Sequence, residues 1–534
     1  MKRLVTLLTI YIYFHHLSIV VASFQLPLSK TWHESPCFFP PLSNTCTSSG
    51  NSRRYTSTHA FNGNHIEYSL INDINLIPAS EWDGCLPPSH AYPGETTAPF
   101  LKHAFLSSLE TSQCVSPHRG WFPRHLQIKV NGDLAAYVPI YIKYDSMGEF
   151  IFDAEWADFA KTRGISYYPK LLVGVPFSPV TCEKILMERS FRKRFVGTDG
   201  EAQLKEFRLS VGKKLQSIVK ESKLSSAHIN FITQEEAFDI AGDIMPNLPD
   251  SDSEGSSKKV AGKSNSILNT VMKKFTNKED YIRKTTFQYH WVNARKGSNE
   301  KYTSFDDYLS CFKSKKRITI KRERRRVLEQ NVRVDAISGK DILHYPGLVE
   351  RMYEIYKSTV QKMFWGNLYF NLDFFELLVE SDFVESLVIM CARLDDGSGS
   401  SVSDNFHAKD VFAGTINVIE NGVFYGRYWG CLPSNDIKNL HFEVCYWKAI
   451  EFCITNGLDK MEPGAGGGDY KWVRGFDPVL IHSVHYIAQP SFRRAVRNYV
   501  NLENKEQIAI AELLIDKSSV KGSKSSSGES SSQQ

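Results

Sequence analysis

Among its ten cysteines the 534-residue chain has no C-x-x-C pair, and no Cys/His run has zinc-ligand spacing. A structural zinc site is therefore not expected. Neither sign of charge is in excess: 64 Lys and Arg against 59 Asp and Glu leave a net charge of +5. Over this length that implies neither nucleic-acid nor membrane binding by itself. Short-period repeats are missing, as is the residue order of a P-loop. No Ser-His-Asp or Cys-His nucleophile arrangement is supported, which favours direct transfer over a covalent intermediate. The chain is too large to need disulfide staples, so the thiols are read as reduced packing residues.

What is present is ordinary for a soluble globular protein: 42% apolar and 23% charged residues. The length suits two to four domains. Lys2 and Arg3 precede an apolar run over residues 4–21, and small residues follow at 21–23. This is the pattern of a secretory signal peptide over 1–23, with no stable membrane anchor expected after its removal. Residues 24–66 are rich in Ser, Thr and Pro, and Glu34 is their one acidic residue. That is transit-peptide composition, and the pair predicts a bipartite plastid leader, with secretion or the endomembrane system as the alternative.

The mature chain reads as a first lobe over 67–240, a Ser/Asp/Lys-rich insertion or linker over 241–284, a second lobe over 285–505 and a disordered tail over 506–534. Residues 126–130, the turn Asn131-Gly132-Asp133 and residues 134–144 predict a hairpin. A helix follows over 202–221 and a strand over 227–232. Ser304 and Asp307 open a helix in the manner of a capping box, and it is expected to run on through Tyr308, Leu309 and Phe312 to a basic cluster. Asn421-Gly422 is a second hairpin turn, leading into a strand over 423–430. A helix over 440–456 stops at Gly457, and a short strand covers 458–463. The fold class is α+β, or mixed α/β: two lobes, each a mostly antiparallel sheet packed with helices.

Three stretches carry the chemistry. Alternation along Tyr425-Gly-Arg-Tyr-Trp-Gly430 puts Tyr425, Arg427 and Trp429 on one face, where Arg427 can grip a carboxylate or phosphate. His441 and Glu443 open a helix, and either is a candidate general base. Glu462, a third candidate, ends a strand before the loop Gly464, Gly466, Gly467 and Gly468, followed by Lys471 and Arg474. Unblocked N–H groups and two cations there suit a phosphate, a carboxylate or an oxyanion. Lys313 to Arg326 form a dense basic cluster, a candidate grip for tRNA phosphates or a solvated basic helix. Asp153, Glu155, Trp156 and Asp158 read as helix caps or surface partners, and His482 and His485 as core histidines.

Five strings resemble one family: Tyr167-Tyr-Pro-Lys-Leu-Leu-Val-Gly-Val-Pro-Phe-Ser-Pro-Val180, Gln288-Tyr-His-Trp-Val-Asn293, Ser304-Phe-Asp-Asp-Tyr-Leu309, Tyr425-Gly-Arg-Tyr-Trp-Gly430 and Leu440-His-Phe-Glu-Val-Cys-Tyr446. They are similar to the peptidoglycan biosynthesis/recognition family, a FemAB-like group within the GNAT acyltransferase superfamily, over residues 98–499. The family's Gly-Ala-Gln-Gly-Glu-His-Lys loop reads Gly464-Ala-Gly-Gly-Gly-Asp-Tyr-Lys471 here. The resemblance implies two GNAT-like lobes across a cleft and transfer of an acyl or aminoacyl group to an amine. Acyl-CoA or aminoacyl-tRNA is the donor it suggests, a peptide or glycan the acceptor, and no metal is expected. Non-catalytic glycan or peptide recognition and RNA binding through the basic cluster are the alternatives.

Overall fold

The computed structural model describes residues 52–55, 60–61, 64–87, 98–151, 153–242, 281–298, 300–362, 366–395, 406–433, 437–466 and 468–520. The expected signal peptide, most of the transit-like segment, most of the insertion and the chain beyond 520 lie outside the described residues.

In the first half the strands are β1 (Ser52–Tyr55), β2 (Ala60–Phe61), β3 (Asn64–Ile71), β4 (Trp121–Pro123), β5 (His125–Val130), β6 (Asp133–Val138), β7 (Ile140–Lys143), β8 (Lys170–Val173), β9 (Leu186–Met187) and β10 (Ser226–Ile232). The second half adds β11 (Ile282–Val292), β12 (Val332–Ser338), β13 (Leu387–Leu394), β14 (Ala413–Glu420), β15 (Val423–Tyr425), β16 (Trp429–Cys431), β17 (Lys460–Glu462) and β18 (Asp477–Ile487). They form two sheets. The smaller runs β1-β3-β5-β6-β9, with β2 on β3. The larger runs β12-β13-β14-β15-β17-β11-β18-β10-β8-β7-β4, with β16 on β14. The fold is the expected mixed α/β arrangement of two lobes.

Asn131 and Gly132 both take positive φ, 54° and 88°, which a two-residue turn with the right twist requires. The partner strand predicted over 134–144 is interrupted at Pro139. Proline has no N–H for a ladder, and there the chain leaves the smaller sheet as β6 and enters the larger one as β7.

Each half contains one parallel pair joined through a helix. β8 and β10 flank the Thr198–Glu221 helix, whose Phe207, Val211 and Leu215 are buried against Leu171, Val173, Ala227 and Ile229. β15 and β17 flank the helix over 440–455, which buries Val444, Trp447 and Ile450 against Phe424, Met461 and Trp291. Parallel strands need such crossovers. β18, the last strand of the chain, lies between β10 and β11 and so joins the two halves.

Four boundaries differ from the sequence reading. β3 starts at Asn64 and pairs with β1, so the first sheet begins inside the segment read as a leader. β11 starts at Ile282, inside the span read as linker. The basic cluster does not continue the helix opened by Ser304. That helix, Phe305–Ser310, ends, and a new one runs Ser314–Leu328. The final helix, Pro490–Asp516, and a bridge from Val520 to Phe312 carry regular structure past residue 505. At Ser304 the cap forms as expected, its hydroxyl accepting from the Asp307 N–H at 3.0 Å. The Asp307 carboxylate turns instead to the Thr303 N–H at 3.0 Å.

Candidate functional site

The strand predicted over 423–430 is broken by a bulge. β14 pairs Val418 with Tyr425 and Thr415 with Trp429, so residues 426–428 oppose only 416–417. An extra residue reverses the side-chain alternation beyond it. Tyr425 and Tyr428 therefore enter one core, where their rings lie 5.4 Å from Phe100 and 4.8 Å from Phe370. Trp429 lies on the opposite side, 5.2 Å from the His441 ring. The expectation that Tyr425, Arg427 and Trp429 share a face is thus corrected.

The bulge aims Arg427 across the ends of β15 and β17. Its Nη2 donates to Glu462 Oε1 at 2.6 Å, and its Nη1 donates to the carbonyls of Gly426 at 2.9 Å and Glu462 at 3.3 Å. The last rung between the strands is the Gly426 N–H on the Glu462 carbonyl, 2.8 Å. Beyond it the chain turns through Gly464 and Gly466, at φ 79° and 76°. A short helix, Asp469–Trp472, then brings Lys471 back, and its Nζ donates to the Gly464 carbonyl at 2.7 Å. Arg427, Glu462 and Lys471 are all buried. Burial, followed by the Arg427 charge, pushes the Lys471 ammonium down to about 8. Gly467 lies outside the described residues, and around Gly468 there is open space.

The sequence reading gave no role to His290, which joins this group. β11 pairs Trp291 with Met461 and Val292 with Lys460, so its next residue, His290, lies beside Glu462. The His290 Nε2 is 4.0 Å from Glu462 Oε2. Burial, then the charges of Lys460, Arg427 and Lys471, hold this imidazole well below the usual histidine range. Gln288, two residues back on the same face, donates to the Pro179 carbonyl at 3.4 Å. The first-half loop over 175–182 thus covers this group; the Ser178 hydroxyl lies beside that of Tyr428, and Cys182 lies within electrostatic reach of Glu462. The usable signal was alternation: Gln288 and His290 are polar, while Tyr289 and Trp291 are aromatic and face the core.

The remaining site residues fall elsewhere. Glu443 is buried and clamped by Arg324 of the basic helix, which donates from Nε at 3.0 Å and Nη2 at 2.9 Å. Burial raises its carboxyl, and the Arg324 charge opposes the rise. The same guanidinium reaches Glu451 at 3.0 Å and lies 4.4 Å over the Phe305 ring. Glu443 therefore ties two helices together. Arg474 donates to Glu323 at 3.0 Å and lies 3.5 Å over the Phe442 ring. His441 sits among the rings of Trp429, Tyr446 and Tyr470. Burial, then Arg474 and Lys471, push it down to about 4. Lys471 is within electrostatic reach of both Glu462 and His441, so it links the strand-end group to this aromatic box.

The basic cluster is divided by its helix. Arg324 and Glu323 point inward, while Lys315, Lys321, Arg322, Arg325 and Arg326 are exposed. Asp153 precedes the Ala154–Thr162 helix and accepts from Lys170 Nζ at 2.5 Å and the Tyr167 hydroxyl at 2.7 Å. His485 meets His228, Nδ1 to Nδ1, at 2.8 Å in a buried network. A surface depression of about 190 Å³ lined by Asp335, Lys448 and Glu451 lies away from the strand-end group. Among the described residues no group of three or more His, Cys, Asp or Glu could hold a metal ion, and no helix is long and apolar enough to cross a membrane.

The sequence matches the model of the FemAB-like family, described as peptidoglycan biosynthesis/recognition, over residues 73–247 and 252–521. The chain belongs to this family. Membership supports acyl or aminoacyl transfer as the general class of activity. Among solved structures the chain is similar to FemX, at 11% identity and TM-score 0.36, covering 73% of this chain and 93% of that one. It is similar to the L-PGS of Bacillus licheniformis, at 10% identity and TM-score 0.37, covering 78% and 98%. A tandem GNAT protein from the clavulanic acid biosynthesis pathway gives 8% identity and TM-score 0.32, covering 80% and 99%. No curated protein matches the chain.

Proposed function

We propose that this protein transfers an acyl or aminoacyl group to an amine acceptor by direct attack, in the cleft at the carboxyl ends of β15 and β17. The observation that carries the reading is the buried Arg427–Glu462–Lys471 group where two parallel strands end. Ligands of α/β sheets bind outside the carboxyl ends of parallel strands, and buried charges at such an end are costly unless they serve. Lys471 and the turn through Gly464 and Gly466 face the oxygen that becomes negative as the amine attacks. Arg427 holds Glu462, whose carboxylate holds the positive charge that develops on the acceptor side. The acceptor is a peptide or glycan amine of cell-wall type, and the donor is an acyl-CoA or an aminoacyl-tRNA.

The exposed cations of the Ser314–Leu328 helix favour the tRNA donor, and that choice predicts a rate that falls steeply with salt. Residues 1–51, ahead of β1, favour delivery to a plastid, and a fluorescent protein fused behind them should report that address. The activity is tested by turnover with a panel of acyl-CoA and aminoacyl-tRNA donors, product being read by mass spectrometry. Product is expected from the wild type and lost in Glu462→Gln and Lys471→Ala. A cell-wall fragment that binds with no donor requirement and yields no product would replace this reading with recognition alone.

A further inference from the structure

Resting on the acyl-transfer reading, we propose that His290 of β11 is the base of the cleft: its imidazole takes the proton of the amine that attacks the acyl carbonyl, and Glu462 stabilises the imidazolium that forms.

Buried polar atoms are almost always hydrogen-bonded, and each of the other buried histidines among the described residues has at least one ring nitrogen that is. His125 meets Glu110 at 2.9 Å, His482 meets Thr285 at 3.1 Å, and His228 and His485 meet each other and a serine apiece. His290 is 4% exposed, and neither ring nitrogen has a hydrogen-bond partner in the protein. Gln288 Oε1 and Arg427 Nε, in the same group, are likewise without one. A histidine with both ring nitrogens unpaired, flanked by one unpaired atom each of Gln288 and Arg427 beneath a loop from the other half, makes a surface built to be completed by a polar ligand.

The charges that face the ring give it its chemistry. Lys460 and Glu462 come from β17, Arg427 from the bulge after β15, and Lys471 from the short helix. Three cations and burial keep the imidazole neutral, so a lone pair is available to a proton. Once the ring is protonated, the Glu462 carboxylate at 4.0 Å is the nearest compensating charge. The step balances without a further reagent. The amine nitrogen forms the N–C bond and the bond from carbon to the departing sulfur or oxygen breaks. The proton leaves the nitrogen for the ring and passes from the ring to the departing atom.

Two measurements on the full chain decide this. In the first, diethyl pyrocarbonate, which acylates neutral imidazole, is applied at pH 7 and histidine peptides are read by mass spectrometry. His290 is expected to be modified while His228 and His485 are spared; a His290 that stays unmodified overturns the proposal. In the second, His290→Gln and His290→Asn are compared with wild type on a donor that the wild type uses. A fall in kcat of ~10²-fold or more with KM little changed is expected. The acid limb of the kcat profile should also disappear. Wild-type kcat in either folded variant overturns the proposal. If the wild type turns over no donor, the acyl-transfer reading fails, while the labelling still decides whether His290 is a reachable base.

Discussion

The parallel pairs β8/β10 and β15/β17 share one plan, a strand, a crossover helix and a second strand, yet their carboxyl ends are finished in different ways. At β8/β10 the chain seals its own strand ends. The loop over 175–184 crosses them, the Cys182 N–H donates to the Phe231 carbonyl at 3.1 Å, and Lys184 Nζ donates to the carbonyls of Phe231 at 2.6 Å and Cys182 at 3.0 Å. At β15/β17 the chain turns away through glycines, and three buried charges face one another beside an imidazole without a partner. The same motif thus gives a plug in one half and a candidate site in the other. The loop that plugs the first end also roofs the second.

The comparison can be broken experimentally. The largest effect is expected for Glu462→Ala, which leaves Arg427 buried without its partner. Stability should fall by about 3–5 kcal/mol in denaturant unfolding, with no turnover left; a fall under about 1 kcal/mol would mean that the charges are solvated and the second end is not a built site. Lys184→Met should cost about 1–3 kcal/mol, because the carbonyls of Val180, Cys182 and Phe231 each lose a bond from the ammonium. Turnover per folded molecule should be unchanged, and its loss would show that the plug takes part in the chemistry.

Acid sharpens the contrast by about 1–2 kcal/mol. Burial, then Lys170, push His228 down to about 3. The unfolded chain therefore binds more protons, and stability falls as pH drops from about 6.5. Burial raises Glu149, in the same network, to about 7. Folding favours its protonated form, so it adds stability as pH falls from 7 towards 4.5 and partly offsets the histidines. Glu149→Gln removes that offset, so its unfolding midpoint should drop more steeply than the wild type's between pH 7 and 5. Equal slopes would place the acid response elsewhere.

The smallest effects come from glycine. Gly464→Ala, at φ 79° with the Gly426 carbonyl 3.4 Å from the added carbon, should cost about 1 kcal/mol. Gly174→Ala at the sealed end meets only the Leu172 and Asn230 side chains at 3.7 Å and beyond, and should change the midpoint little.

Much of the fold was legible because periodicity and turn chemistry are local. The Asn131-Gly132 and Asn421-Gly422 turns, the long helix in the first half and the Gly457 stop needed no distant partner. The bulge at 426–428 depends on pairing with β14, and nothing local in Tyr425-Gly-Arg-Tyr-Trp-Gly430 announces an extra residue. Of the candidate site, Arg427, Glu462, Lys471 and Gly464 come together. Glu443 and Arg474 are instead held by Arg324 and Glu323, partners more than 100 positions away that a local reading cannot supply. His290 stood in a quoted string, but its role depends on β17, which arrives from the far end of the chain.

The position of β18 has a consequence for synthesis. Its first residue, Asp477, follows nearly the whole chain, yet β18 is the strand that covers β10, its register running from Ser226 with Ile487 to Ile232 with His482. Until those residues leave the ribosome, the first half presents an open edge rich in buried-type side chains. The first half therefore cannot finish as an independent unit, and a chain ended before Asp477 should associate or be degraded rather than fold.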